Sequence, residues 1–572
     1  MRCRYALSFG RGAHSHALRA KAAAAGFLLV EEADDMLLAA DCDTPFLTSP
    51  GSVLIGQLFT PAGDRAHCLP DAAALQGAAP FPSGWWGNYV RFDSSASGRA
   101  VQRDPSGAVP VYRCAVDTDS LFVSDAAIAR DLGLVSPEVD GDFLTAFLQF
   151  PFLRTARTGI AGVEEVVPGT TLRQERNGRG WSCRLWWRPS AFAGYNERLT
   201  DPLAAARELR DLALRLVPLQ LEDRVRPVAL QLSGGLDSAI VACCLASASI
   251  PVAALNFATR SSEGDERRFA AAVADRLRLT LTEIGEEPMA TIPAIVGPSF
   301  RPASNPLLQP LEDAIQAAAL ALNCGCLVDG AGGDNLFCHL TTAAPVLDAL
   351  VEAGPRQALR TIADVGTRAN TGWWQVLAAA ARRIRRRAVW TEDRSFLNSE
   401  ALLDQRDRHP WLEDSATLHP GQRAHVEALV HIQHFLGRGT EPLDRSHPLM
   451  AQPLLELCLR IPSWRWVGGG RDRAIARQAF AGRLPATILR RRTKGSLQGM
   501  FARAFAMLLP EIRERLLTGR LARRNLLDLH ALEEATRDAT RLTGPHQLRL
   551  SEMLALELWL ADCEEWRPAG RA

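Results

Sequence analysis

The sequence predicts an α/β protein in two parts, a mostly β region over residues 1–190 and a doubly wound parallel sheet within residues 200–572. Three observations carry this prediction. As far as residue 190, short apolar segments alternate with Pro-, Gly- and Ser-rich punctuation, the pattern of short strands joined by turns. From residue 203 the pattern changes to strand and helix in alternation, which implies parallel strands with ligand at their carboxyl ends. And 572 residues are too many for one ordinary core.

Composition narrows the class. A chain 47% hydrophobic and 23% charged is a soluble globular protein, and a net charge of +1 offers no field for nucleic acid or an anionic membrane. The 12 cysteines are scattered apart from Cys243-Cys244 and Cys324-x-Cys326, and no paired Cys-x-x-Cys or His cluster suggests zinc. Reduced thiols in a cytoplasmic protein are the simplest reading. Residues 1–20 lack the apolar stretch of a secretory signal. The uncharged run 239–258 is long enough to span a bilayer, but it contains Pro251, several serines and Asn256. It reads as a buried helix followed by a buried strand, and no membrane span is expected.

Taken in order, the β-rich region contains Gly84-Trp85-Trp86-Gly87-Asn88-Tyr89-Val90, then 103–112 beginning Arg103-Asp104-Pro105-Ser106-Gly107, then Gly162-Val163-Glu164-Glu165-Val166-Val167-Pro168-Gly169. Residues 181–199, with Trp186, Trp187 and Pro189, read as a connection. A helical period places Leu209, Leu212, Leu216 and Val217 on one side ahead of the strand Val228-Ala229-Leu230. Residues 252–257 read as the second parallel strand, and 265–277 as a helix carrying Phe269, Val273 and Leu277 at four-residue spacing. Residues 340–439 read as helical and include the basic run 382–387, which as a charge run is best read as a solvated face.

Two turns carry chemistry. In Gln231-Leu232-Ser233-Gly234-Gly235-Leu236-Asp237-Ser238 a strand bends through two glycines into a helix, so Ser233, Ser238 and the first helical N–H groups face one small space. That space favours an anion. Asp237 would repel a phosphate unless a cation such as Mg²⁺ lay between them. The pattern is not a Walker A loop, which needs Gly-x-x-x-x-Gly-Lys-Ser/Thr. The second turn, Asp329-Gly330-Ala331-Gly332-Gly333-Asp334-Asn335, repeats strand, glycines, carboxylate and helix start. In a parallel sheet it brings Asp334 to the same edge as Asp237.

Ser233-Gly234-Gly235-Leu236-Asp237-Ser238 resembles the pyrophosphate loop of the ATP-pyrophosphatases, in particular the asparagine-synthetase branch. The resemblance implies ATP cleavage between the α- and β-phosphates and adenylation of a carboxylate. It implies ATP and Mg²⁺ as cofactors, nucleotide binding by Leu232, Ser233, Gly234, Gly235, Leu236, Asp237, Ser238, Phe257, Asp329 and Gly330, and metal binding by the catalytic pair Asp237 and Asp334. Lys494, in Arg491-Arg492-Thr493-Lys494-Gly495, matches the family's catalytic lysine, which faces the pyrophosphate and a later oxyanion. The three β-region pieces resemble an Ntn glutaminase domain, a sandwich of sheets between helices. Two departures matter. Arg2 precedes Cys3, so the terminal cysteine with its own amine as base is missing, and the domain reads as degenerate. Ala331 stands where the family has a glutamate linked to amide formation.

Together with His447-Pro448-Leu449-Met450-Ala451-Gln452-Pro453 and Gly469-Gly470-Arg471-Asp472-Arg473-Ala474, these features resemble lasso-peptide cyclases. Such enzymes adenylate an Asp or Glu side chain of a precursor core peptide and close it on the peptide's own amine as a macrolactam. The resemblance implies that peptide as substrate, with a leader peptidase and a leader-binding protein as partners. An ammonia-dependent asparagine synthetase or β-lactam synthetase-like ligase stands as the alternative, and a non-catalytic nucleotide-binding scaffold as a further one.

Overall fold

The computed structural model describes residues 3–566 except 11–12, 33–35, 71–80, 117–118, 136, 176–179, 223–224, 262–263, 288–290, 294–296, 304, 386–389, 437–441, 493–494, 496, 539–541 and 543. Two six-stranded antiparallel sheets occupy the β-rich region. The first runs Val163–Glu165, Tyr112–Val116, Asp119–Val123, Tyr5–Phe9, Met36–Ala40, Leu28–Glu32 from edge to edge. The second runs Ser182–Leu185, Thr170–Glu175, Gly98–Arg103, Trp86–Ser95, Ser52–Phe59, Phe46–Ser49.

Side chains alternate along each strand, so each sheet has an inner and an outer face. Tyr5, Leu7 and Phe9 meet Ile55, Val90, Phe92 and Val101 in the core between the sheets, and Cys3 is buried with them. The first sheet's outer face, with Ala6, Leu37, Cys114 and Val123, packs under the helices Ala126–Asp131 and Gly141–Gln149. The same core takes in Leu508 and Ile512 of helix Gln498–Thr518 and Leu554 and Trp559 of helix Gly544–Glu565. One expectation is corrected here. Residues 181–199 are not a bare connection, because Ser182–Leu185 pairs with Thr170–Arg173 as an edge strand and Pro189–Ala193 is a short helix.

The third sheet is five-stranded and wholly parallel, in the order Thr280–Gly285, Val252–Ala258, Val228–Gln231, Cys326–Val328, Arg445–Ser446. Its first strand in sequence lies in the middle. The chain winds outward on one side as far as Gly285, then returns to pair on the other. The strand order therefore reverses between Val228–Gln231 and Cys326–Val328, and in open α/β sheets the crevice for a ligand lies at the carboxyl ends of the strands at such a switch point. Helices cover both faces. Val228 and Leu230 pack with Ala239, Ile240, Ala270 and Val273, while Ala229, Leu255 and Leu327 pack with Leu311, Ile315 and Ala319. Burial on both faces explains why these strands read as continuous apolar runs. The uncharged run resolves into the end of helix Leu236–Ser247 and the strand Val252–Ala258. Among the described residues no helix is long and apolar enough to cross a membrane.

Candidate active site

The two glycine turns lie side by side at the crevice. Gly234 has φ +69, and a Cβ there would come within 2.7 Å of Phe269 Cβ and 3.0 Å of the Ala270 nitrogen, so the turn needs glycine on both counts. Gly235 caps helix Leu236–Ser247 without a side-chain bond, which leaves the first helical N–H groups to whatever enters. Ser233 Oγ lies 3.2 Å from Ser238 Oγ. The side chains of Leu232 and Leu236 are buried in the core, so toward a ligand these two offer backbone only. Leu232 already bonds through its N–H to the Leu255 carbonyl (2.8 Å) and through its carbonyl to Asn256 Nδ2 (2.8 Å). Phe257 packs into the cluster beneath helix Gln309–Ala321.

The second turn rests directly on the first. A Cβ on Gly330 would meet the Ser238 nitrogen at 2.5 Å, and one on Gly333 would meet Asp237 Cβ at 2.5 Å. This close approach of backbone brings Asp334 to Asp237, as the sequence spacing implies for adjacent parallel strands. Between the two carboxylates lies a cation that the sequence reading gave no role. Arg473 Nη1 is 2.9 Å from Asp237 Oδ2 and also bonds Asp334 Oδ1. Arg473 Nε reaches Asp472 Oδ1 at 3.0 Å, and Asp472 takes a second guanidinium, Arg477, at 3.0 Å. Burial alone would lower the Arg473 pKa, but Asp237, Asp334 and Asp472 outweigh it and push the guanidinium above its ordinary value. Arg473 adopts φ 51, a left-handed backbone at a non-glycine residue, and this conformation sits at the site itself.

The donor set suits a hard divalent cation. Two carboxylate oxygens already converge on one positively charged atom, and Mg²⁺ is commonly held by one or two carboxylates with phosphate oxygens and water completing its shell. Among the described residues no group of three or more His, Cys, Asp or Glu side chains could hold a metal unaided. A cation here would therefore share its shell with a ligand and displace Arg473.

Asp329 is held by three donors. Its Oδ1 accepts from His447 Nδ1 (2.8 Å) and the Ala331 N–H (2.9 Å), and its Oδ2 from Arg445 Nη1 (3.2 Å). Burial would raise this carboxyl, but His447 and Arg445 outweigh it and hold it at about 2. Lys494 lies outside the described residues. Its chain neighbours are nevertheless tied to the first turn. Arg491 bonds the Gly234 carbonyl (3.0 Å) and Glu266 (2.6 Å) and stacks on Phe269, and the Gly495 N–H bonds Glu266 (2.8 Å).

Arg473, His447, Asp472, Arg491 and Glu266 received no role from the sequence. The sequence hint for the first four was their place inside segments already singled out for other reasons, 447–453, 469–474 and 491–495.

A parallel sheet with a hydroxyl-rich glycine turn and a carboxylate turn at its switch point is an α/β arrangement suited to an anionic ligand. The chain belongs to the asparagine synthase family, whose model matches residues 208–561, and it is accordingly an ATP-dependent amide ligase. No curated protein matches it. Among solved structures it is similar to the allosteric regulatory enzyme of purine biosynthesis (9% identity, 51% of this chain, 82% of that one, TM-score 0.21). It is also similar to a glutamine phosphoribosylpyrophosphate amidotransferase from B. subtilis complexed with ADP and GMP (9% identity, 57% and 74%, TM-score 0.20). TM-scores of this size establish no shared fold.

Proposed function

We propose that this chain adenylates a side-chain carboxylate of a peptide and closes it on that peptide's own amino terminus, as lasso-peptide cyclases do, releasing AMP and pyrophosphate. The observation that carries the reading is the pair of turns at the switch point, with Asp237 and Asp334 converging on one cationic position beside Ser233 and Ser238. In the proposed cycle, Ser233, Ser238 and the N–H groups that begin helix Leu236–Ser247 hold the pyrophosphate. Asp237 and Asp334 would hold Mg²⁺, which would neutralise charge on the phosphates. Arg473 and Lys494 would supply positive charge to the departing pyrophosphate. The amine then attacks within one peptide, so proximity replaces a strong external nucleophile. Ala331 and the segments 447–453 and 469–474 favour this reading over ordinary asparagine synthesis. The substrate would be a precursor core peptide, supplied by a leader peptidase with a leader-binding protein.

The test is ATP–pyrophosphate exchange with a pool of synthetic linear peptides, each bearing a free amino terminus and one internal Asp or Glu. Exchange with the pool and none with free aspartate is expected. Exchange driven by free aspartate would favour the asparagine-synthetase alternative, and exchange with neither would favour the scaffold.

A further inference from the structure

Forming an amide requires a group that takes a proton from the attacking nitrogen. Most candidates at the crevice are committed elsewhere. Asp237 and Asp334 share Arg473, and Asp472 holds Arg473 and Arg477. His339 lies between two carboxylates, with Nδ1 3.2 Å from Asp334 and Nε2 3.7 Å from Asp472. His447 differs. Its Nδ1 is bonded to Asp329, and its Nε2 makes no hydrogen bond among the described residues. The Asp329 oxygen that receives His447 also accepts the Ala331 N–H, so the imidazole stands beside the second glycine turn. Met450, three residues along, packs on Gly332 of that turn. An ionised carboxylate on Nδ1 fixes the tautomer with the proton there, leaving the Nε2 lone pair free to accept another.

On the reading of the preceding subsection, we infer that His447, oriented by Asp329, is the catalytic base of the amide-forming step. The amine's lone pair forms the C–N bond to the activated carbonyl carbon, and its N–H proton passes to His447 Nε2. As the tetrahedral species collapses, the bond from carbon to the adenylate oxygen breaks and AMP leaves with the electron pair. Asp329 acts through His447 and is a positioning residue.

The experiment compares wild type with His447→Ala and His447→Gln in two assays using the same peptide pool: ATP–pyrophosphate exchange, and closed product by mass spectrometry. His447→Gln, whose amide can still donate to Asp329, should keep exchange close to wild type, and both variants should lose product formation by about 100-fold, the lower end of what a general base contributes. Hydroxylamine, mostly unprotonated at neutral pH, should still trap the activated carboxylate as a hydroxamate, and added imidazole should restore some closure to His447→Ala. Wild-type levels of closure in either variant overturn the inference. So does a matched loss of exchange and closure in a His447→Gln protein of unchanged Tm, because the residue would then serve adenylation. Failure of the wild-type chain to exchange with any peptide overturns the functional reading itself, a result distinct from either of these.

Discussion

Arg473→Ala should destabilise the protein without nucleotide and make the remaining stability depend on Mg²⁺. The cation is shared by Asp237, whose side chain is 10% exposed, and Asp334, whose side chain is 35% exposed, while Arg473's own is 8% exposed. Removing one partner from a buried ion pair costs about 3–5 kcal/mol, because the charge left behind stays desolvated. Water already reaches Asp334, which places the cost near the lower end, at about 3 kcal/mol. At about 2.1 cal/mol/K of unfolding entropy per residue, a 572-residue chain that unfolds as one unit loses about 2.5 °C of Tm for that cost.

Scanning calorimetry with and without millimolar Mg²⁺ measures both effects. Wild type should respond little to the ion alone, since Mg²⁺ must first displace the guanidinium. The variant should regain much of its lost Tm, because the ion enters a site that then contains two carboxylates and no arginine. Arg473→Lys should fall between them, since one ammonium cannot reproduce a fork that reaches Asp237, Asp334 and Asp472 together. An alanine variant with unchanged Tm, or equal Mg²⁺ responses in the two proteins, would refute the shared-cation argument.

Gly234→Ala should abolish nucleotide binding by calorimetry, because a Cβ at φ +69 meets Phe269 at 2.7 Å and forces the turn open. Lys494→Ala should cut turnover by about 100- to 1,000-fold with little change in ATP affinity, as for a donor acting on charge that develops in the transition state. Glu165 gives a pH dependence. Burial alone would raise its carboxyl, but Arg154, Arg301 and Arg103 hold it at about 2, against an ordinary 4.5. A depressed folded value contributes stability that is complete above pH 4.5 and lost as pH falls toward 2. The Tm gap between wild type and Glu165→Gln should therefore be widest near neutrality and narrow below pH 4.5.

What could be read from the sequence was local. Each turn carries strand, glycines and carboxylate within about ten residues, so the chemistry and the fold signal coincide at Ser233–Ser238 and at Asp329–Asp334. What could not be read is distant. Arg473 reaches Asp237 across 236 residues, and His447 reaches Asp329 across 118, and no periodicity or spacing relates either pair. Nor does Arg471-Asp472-Arg473 announce a left-handed residue, since the usual signal at such a position is Gly or Asn. The edge strand Ser182–Leu185 was missed for another reason. Ser182, Cys183 and Arg184 are exposed, so it lacks the alternation that marks a half-buried strand.

The contacts of the β-sandwich explain why it is structurally inseparable from the ligase half, whatever chemistry it does or does not perform. Phe143 and Leu148 share one core with Ile512, Leu554 and Trp559, and Gly159 lies so close to Trp559 that a Cβ would meet its ring at 2.3 Å. Without the sandwich, the last helices would present that apolar surface to water. The tie continues to the active site. Arg154, paired with Glu165, donates from Nη1 to the carbonyls of Gln433 (2.7 Å) and Leu436 (2.7 Å) at the end of helix Pro420–Gln433. That helix in turn presents the Ala428 carbonyl to Asn335 Nδ2 at 2.7 Å, one residue from Asp334. A buried ion pair in the sandwich thus anchors the helix against which the turn carrying Asp334 is set.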